Sequence, residues 1–331
     1  MTLLLADEDV RATLTPASLV DAMEEFYRAE ASGGVILPPR LNLVHDSAFL
    51  RVMPALLPAS DVMGLKVFHQ GRQPGVSYLI LVYDLTSGET LGLVDAAYLT
   101  AARTGATSAV AARQLAPDAQ TAAVIGSGLE AETNLLAIAS CLPLRYAKVY
   151  SPRQARREDF AVRMTDVLGF GVEPSTSPVE AVHGTDLVIV ATNTGNGGGV
   201  AYRGEWAEPG QCVVSIGSTN PRLHELDART FTRADRIVID AEAHQIAEES
   251  GDVIDLLGQA DGRDRWQAGV LPLGTVVKDG IEPARAGEIR LFKSVGTAAQ
   301  DLIAARLAIQ AARSAGRGRE VSAVTSPKFF Q

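Results

Sequence analysis

Between residues 16 and 30 the apolar positions Leu19, Val20, Met23, Phe26 and Tyr27 recur at helical spacing, a single stripe on a 3.6-residue period. Thr15 suits the N-cap and Pro16 the first turn, and Gly33 and Gly34 end the helix. The pattern then shortens into strand-like pieces: "AFLRVM", "GLKVFH" and "YLILVYDLTSGETLGLVD". The last folds back on itself at Thr86, Ser87 and Gly88. "AAYLTAARTGATSAVAARQLA" reads as an alanine-rich helix whose small side chains let another backbone come close. From about residue 119 short apolar runs alternate with helical stretches: "AAVIGS", "AKVYS", "DLVIVAT", "CVVSIGS" and "DRIVIDA". Such strands belong to a parallel sheet covered on both faces. "DAEAHQIAEESGDVIDLL" reads as one acidic helix, and "SVGTAAQDLIAARLAIQAARSAG" as a long amphipathic helix. "NTGNGGGV" and "LGQADGRDRWQAG" read as loops.

Composition narrows the class. The chain has 331 residues, is 47% hydrophobic and contains 30 glycines, enough for two domains, or one large one, with a real core. A net charge of −9 argues against a nucleic-acid partner, whose phosphates call for a basic surface. No apolar run reaches the roughly 18 residues of a membrane span. The start, "MTLLLADEDVRATLTP", is acidic after its leucines, unlike a signal peptide. Cys141 and Cys212 are too few for a disulfide framework, and Cys212 in "QCVVSIG" reads as a small buried strand residue. The expected location is cytoplasmic. The five histidines form no H-x-x-H or H-E-x-x-H pair, there is no C-x-x-C, and no metal is expected. A G-x-S-x-G nucleophile elbow is also missing.

The chemistry concentrates at "VIGSGLEA". Gly126 can make the tight turn, Gly128 lets a pyrophosphate approach the backbone, and Ala131 keeps helix and strand close. The helix that follows offers unpaired N–H groups and its positive dipole end to phosphate. Gly126, Ser127, Gly128, Leu129 and Glu130 are therefore candidate dinucleotide-binding residues, within a Rossmann-type, doubly wound parallel sheet. An NAD-preferring site places an acid at the end of the next strand, for the ribose 2′-hydroxyl. This chain has "SPRQARRE" there. Ser151 and Arg153, reinforced by Arg156 and Arg157, suit a 2′-phosphate, so NADP(H) is preferred with NAD(H) possible. The alternative is that these arginines form a solvated helix face. Ala191, Thr192 and Asn193 after one strand, and Ile216, Gly217 and Ser218 after another, lie where ligands gather in such sheets.

In order along the chain, "PPRLNL", "GLKVF", "LTAARTGATSAVAARQLA", "VIGSGLEA", "IGSTNPRLHELD" and "FKSVGTAAQDL" resemble the ornithine cyclodeaminase/mu-crystallin family over nearly the whole chain. Its most specific pieces are Arg103-Thr104, Glu225-Leu226-Asp227 and Lys293-Ser294-Val295-Gly296. The family includes ornithine and lysine cyclodeaminases, an archaeal-type alanine dehydrogenase and ketimine reductases, all using NAD(P). The resemblance implies an α+β substrate-binding and dimerisation domain from residues 1–115 plus 296–331, a Rossmann domain over 116–295, and a homodimer. It places the substrate cluster on Arg40, Lys66 and Arg103, with Lys66 and Arg103 catalytic. Two arginines and a lysine independently suit the carboxylate of an amino or imino acid. Lys66, set among apolar neighbours, either relays a proton to the substrate nitrogen or acts electrostatically on the carboxylate. Thr219 and Val295 are implied to lie at the substrate, and Ser77, Thr104 and Ser294 at the cofactor.

The chain also departs from the family. Thr219 stands where the cyclodeaminases carry a catalytic aspartate, and a hydroxyl cannot replace that base. Asn220 and His224 are nearby as candidate substitutes for it, although His224 reads best as a loop or interface histidine. Arg290 stands where a small hydroxyl residue is usual, and would either meet a second acidic group of the substrate or be exposed. The expected activity is NAD(P)H-dependent reduction of a C=N bond next to a carboxylate, giving an α-amino acid, or the reverse dehydrogenation. The alternatives are an ornithine cyclodeaminase-like lyase making proline and ammonia, and a non-catalytic binder of a carboxylate ligand.

Overall fold

The structure is a computed structural model and describes residues 1–195, 198–322 and 328. The chain divides into two compact units, one of Met1–Arg103 with Thr297–Gln331 and the other of Thr104–Gly296.

In the first unit, β1 (Thr2–Leu5) leads into α1 (Asp7–Thr13) and α2 (Pro16–Glu30). Thr15 caps α2 by accepting from the Ser18 N–H, and the Leu19, Val20, Met23, Phe26 and Tyr27 stripe is buried. Burying each such side chain is worth about 1.5–3 kcal/mol. An antiparallel run follows: β2 (Leu41–His45), β3 (Ala48–Leu57), β4 (Val62–Gln70), β5 (Ser77–Asp84) and β6 (Thr90–Asp95). The β5–β6 turn closes where the Asp84 carboxylate accepts from the N–H and hydroxyl of Ser87, with Gly88 at a φ of 72°. α3 (Ala97–Leu115) begins in this unit and ends in the other.

The second unit is an alternation of strands and helices: β7 (Thr121–Ile125), α4 (Leu129–Ala139), β8 (Tyr146–Tyr150), α5 (Gln154–Leu168), β9 (Gly171–Pro174), α6 (Pro178–Val182), β10 (Leu187–Val190) and β11 (Cys212–Ser215). α7 (Ala228–Arg233), β12 (Arg236–Ile239), α8 (Ala243–Glu249), α9 (Gly251–Leu257), α10 (Gly262–Gly269), β13 (Val270–Pro272), α11 (Leu273–Asp279) and β14 (Arg290–Lys293) complete it. Its eight strands run in the order β13-β12-β14-β11-β10-β7-β8-β9, and every pairing is parallel. The order reverses beside β7, which is the switch point of a doubly wound sheet. β7, β10, β11 and β12 are buried almost throughout, as strands covered on both faces must be. The small residues of α3 serve close packing here. A Cβ on Gly105 would run into the Thr133 carbonyl oxygen of α4.

The chain then returns to the first unit as α12 (Ala298–Ala315) and β15 (Arg319–Val321). α12 opens with a capping box between Thr297 and Gln300 and packs against β3, β4, β5 and β6. The sheet order is β15-β1-β6-β5-β4-β3-β2.

Two stretches differ from the sequence pattern. "LGQADGRDRWQAG" is largely the helix α10. Its anchor is Trp266, 4% exposed, which donates to the Ala243 carbonyl and stands edge-on to Phe231. The acidic segment "DAEAHQIAEESGDVIDLL" is two helices, broken at Ser250. The break turns Asp252 into the interior, where its carboxylate accepts from the N–H groups of Glu225 and Leu226. Cys141 and Cys212 are free thiols, and burial pushes Cys212 up to about 12. Among the described residues no helix is long and apolar enough to cross a membrane.

Candidate functional site

The glycine turn after β7 is shaped by two constraints. Gly126 has a φ of 129°, a left-handed backbone that side chains disfavour. A Cβ there would also collide with the Ala191 carbonyl at the end of β10, and would stand 3.6 Å from the Ala131 Cβ. Gly128, the N-cap of α4, meets nothing within 4 Å of a built Cβ and carries no side-chain cap bond. The open space over Gly128 and the start of an eleven-residue helix are what a dinucleotide pyrophosphate requires. Leu129 and Glu130 open that helix, and Leu129 is exposed.

The end of β8 is tied to this turn. Ser127 donates to the Ser151 hydroxyl at 2.9 Å, and the Gly126 N–H bonds to the Tyr150 carbonyl. Arg157 donates to the Ser151 carbonyl and lies 5.9 Å from the Tyr150 ring. Arg153 is the exposed N-cap of α5. The strand ends in a serine and an arginine-rich turn, with no carboxylate at Ser151.

The other candidate loops leave the C-terminal ends of β10, β11 and β14, and a buried carboxylate joins the first two. Glu225 accepts from the N–H and hydroxyl of Thr192, from the Ser215 hydroxyl and from the Gly217 N–H. Burial pushes its carboxyl up, against the opposing pull of Lys293. Lys293 is fully buried, pairs with Asp252 at 3.1 Å and donates to Ser215 Oγ and the Gly217 carbonyl. Ala191 and Ile216 are buried, Thr192, Gly217 and Thr219 are half-buried, and Asn193 is exposed. Ser218 adopts a φ of 59° and commits its hydroxyl to the Leu223 carbonyl and the Asp252 N–H. The Ser294 hydroxyl and the N–H groups of Val295 and Gly296 bond to the Asp240 carboxylate. Asn220 folds its own turn by accepting from Arg222, and His224 lies 3.2 Å from Asp255.

The first unit carries a separate cluster. Lys66 on β4 is 2% exposed and donates to Asp301 Oδ1 at 3.0 Å. Arg103 on α3 donates to the same oxygen at 2.8 Å and to Gln300 Oε1 at 2.8 Å. Gln300 in turn donates to the Tyr27 hydroxyl. Burial alone would raise the Asp301 carboxyl. The charges of Arg103 and Lys66 outweigh it and hold Asp301 below the usual carboxylate range. Lys66 Nζ also lies 5.6 Å and 5.4 Å from the rings of Phe68 and Tyr78. Arg40 is half-buried just before β2, Ser77 is exposed at the start of β5, and Thr104 follows Arg103 in α3 and is buried.

Arg290 behaves differently from either expectation. It is 3% exposed. Its guanidinium donates to Glu288 and to the carbonyls of Leu115 and Glu282. It pins the end of α3 to the entry of β14, so neither exposure nor a substrate contact describes it.

Sequence reasoning missed Asp301, Gln300 and the joint role of Glu225, Asp252 and Lys293. Asp301 left one signal, a single acid in the apolar run of α12 directly after the capping glutamine. Among the described residues no group of three or more His, Cys, Asp or Glu side chains is placed to hold a metal ion.

The sequence pattern of the ornithine cyclodeaminase/mu-crystallin family matches residues 1–316. The ketimine reductase mu-crystallin of Mus musculus is 31% identical over 316 residues, spanning 92% of this chain and 95% of that protein. Two solved structures superpose over nearly their full length. One is Thermococcus litoralis Δ1-pyrroline-2-carboxylate reductase in complex with NADH and L-proline, with a TM-score of 0.87, 28% identity and coverage of 97% of this chain and 100% of that one. The other is an archaeal alanine dehydrogenase dimer with bound NAD, with a TM-score of 0.86, 26% identity and coverage of 97% and 99%.

Proposed function

The chain belongs to the ornithine cyclodeaminase/mu-crystallin family, and from that premise we propose that it is an NAD(P)H-dependent oxidoreductase reducing the C=N bond of an imino acid to an α-amino acid. The observation that carries the reading is the sharing of one buried carboxylate, Asp301, by Lys66 and Arg103. Lys66 and Arg103 converge on that carboxylate from two elements, and a lysine and an arginine side by side suit the α-carboxylate of such a substrate. Arg103 can grip a carboxylate bidentately, while Lys66 offers a compact point charge. Arg40 is proposed as the third cation at that carboxylate. Asp301 fixes both cations before substrate arrives, and positioning of this kind is most of the catalytic task.

Gly126–Glu130, Ser151, Arg153, Thr192 and the neighbouring loop residues would hold the dinucleotide, which when bound would supply the hydride. Lys66 is the proposed proton donor to the imine nitrogen. Ser151 and the Arg153 and Arg157 guanidinium groups support a preference for NADP(H). A carboxylate at the strand end would repel a 2′-phosphate, and none stands there. Thr219 favours the reductase over a cyclodeaminase, because ring closure with ammonia loss needs an acid–base group that a hydroxyl does not supply.

The test is oxidation of NADPH and NADH against five- and six-membered cyclic imino acids, and against pyruvate with ammonia or methylamine. A parallel assay follows ammonia release from ornithine with NAD. Imine-dependent oxidation without ammonia release is expected, faster with NADPH. Proline and ammonia from ornithine would replace the reductase with a lyase. Silence in both, with tight binding of an apolar carboxylate, would make the protein a binder.

A further inference from the structure

We propose that Glu225 is a positioning residue for the nicotinamide half of the cofactor: it holds the loops past β10 and β11 in the form that receives that half, and touches no ligand itself. The inference rests on the dinucleotide part of the proposed function and deepens it.

Strand register carries the argument. β10 and β11 are adjacent and parallel, and Val190 pairs with Ser215 at their ends. Thr192 and Gly217 therefore stand level, each two residues further on. The Ile216 N–H still bonds to the Val190 carbonyl. At the next amide of each chain one carboxylate takes the place of the ladder. Glu225 Oε1 accepts from the Thr192 N–H at 2.6 Å and from its hydroxyl at 2.9 Å. Oε2 accepts from the Gly217 N–H at 2.7 Å and from the Ser215 hydroxyl at 3.0 Å. Each oxygen serves one chain, so the planar carboxylate sets the separation of the two loops.

The carboxylate is itself fixed. The Glu225 and Leu226 N–H groups donate to Asp252. Lys293, paired with Ser215 across the β11–β14 register, meets Asp252 and donates to Ser215 Oγ and the Gly217 carbonyl. Both backbone polar groups of Gly217 are thus engaged, and a Cβ on it would collide with the Glu225 carboxyl carbon. Glu225 is 1% exposed and acts through the loops alone. Stability does not call for such a group, since well-packed apolar residues serve a core as well or better. What the carboxylate adds is fixed geometry for two chains at once.

That geometry bears on one half of the dinucleotide. A doubly wound sheet takes a mononucleotide on each half. In the proposed reading the glycine turn after β7 takes the pyrophosphate and the end of β8 takes the adenosine ribose. The loops past β10 and β11 lie on the other side of the switch point, which leaves them the nicotinamide.

The experiment titrates the full-length protein by calorimetry with NADPH and with 2′-phospho-ADP-ribose, which lacks the nicotinamide. NADH and ADP-ribose are run in parallel, so that the result does not hang on the 2′-phosphate. Glu225→Gln keeps the shape of the side chain but turns an amide NH2 toward one of the two loop N–H groups. It should weaken NADPH binding by about tenfold or more, the effect of leaving such a donor unpaired, and leave 2′-phospho-ADP-ribose binding nearly unchanged. Ser215→Ala removes one donor and keeps the carboxylate. It should act in the same direction more weakly, and it decides the matter if Glu225→Gln does not fold. In either variant, equal weakening of the two ligands, the sign of a general loosening, overturns the assignment, as does an unaltered NADPH affinity. A wild type that binds NADPH no tighter than 2′-phospho-ADP-ribose overturns it as well. These outcomes are read whether or not an imine is reduced. A wild type that binds none of the four nucleotides removes the dinucleotide reading itself, and this assignment with it.

Discussion

Asp301 holds Lys66 and Arg103 through one oxygen from within a fully buried position, so replacing it acts on both at once. Removing one member of a buried charge cluster costs about 3–5 kcal/mol, because the remaining charges stay desolvated. Asp301→Asn is therefore expected to lower the free energy of urea unfolding by that amount at neutral pH. The carboxyl is held below its ordinary value in the fold. Its contribution to stability is present above the unfolded value and is lost as pH falls through the lower folded one. The wild-type advantage over Asp301→Asn should accordingly shrink only in acid, below about pH 4. An unfolding midpoint difference that is flat down to pH 2 would show that the charge is irrelevant. Lys66→Ala tests a different point. It should abolish imine reduction while leaving NADPH affinity, followed by fluorescence, nearly unchanged. Retention of most of the turnover would remove Lys66 from the mechanism. The sequence revealed the two cations and not their anion. Lys66 and Arg103 stand in motifs whose chemistry is local, whereas the Lys66–Asp301 pair spans 235 residues and has no periodicity to betray it.

At the scale of elements, the strand–turn–helix around Gly126 was legible because each of its requirements falls on neighbouring residues. The two glycines nevertheless do different things, and a pair of variants separates them. Gly126→Ala meets both a φ of 129° and the Ala191 carbonyl, so the fold itself should suffer, by about 1–3 kcal/mol or more. Gly128→Ala enters open space at an N-cap whose φ is −94°. It should leave thermal stability within about 1 kcal/mol of wild type and weaken NADPH binding by at least about tenfold, by occupying the path of the pyrophosphate. Equal loss of stability in the two variants, or unweakened binding in Gly128→Ala, would contradict this division of roles. The elements that were misread failed for one reason. α10 is rich in Gly and Asp, and its helix depends on Trp266 finding the Ala243 carbonyl and Phe231. The break at Ser250 depends on Asp252 reaching the N–H groups of Glu225 and Leu226, 27 and 26 residues away. Local pattern carries neither contact.

At the scale of the whole molecule, one exposed apolar face stands out. On the sheet of the first unit, the residues alternating with Lys66 and Phe68 point to the other face. There Leu41 is paired with Val52, Leu43 with Leu50 and Leu79 with Val67. Leu41, Leu43, Leu50 and Leu79 are 52%, 53%, 36% and 43% exposed. A row of large apolar side chains on one sheet face is more than the scattered exposure a monomer tolerates. With the homodimer expected of this family, it makes that face the proposed interface between two copies. Leu43 lies within the row and away from Lys66, Arg103 and Asp301, so Leu43→Glu should convert a dimer of about twice 35.0 kDa into a monomer by light scattering. A buried unpaired carboxylate at each copy's contact would cost several kcal/mol twice over through the two-fold symmetry. Leu43 and Leu50 are a cross-strand pair, so Leu50→Glu should act in the same direction, whereas Val162→Glu on α5, 72% exposed in the other unit, should not. A wild type that is already monomeric, or a Leu43→Glu protein that remains dimeric, would place the interface elsewhere. The alternation that buries Lys66 on one face of β4 is the same one that presents these leucines on the other, so a dimer through them would take its geometry from the strands that carry the substrate cluster.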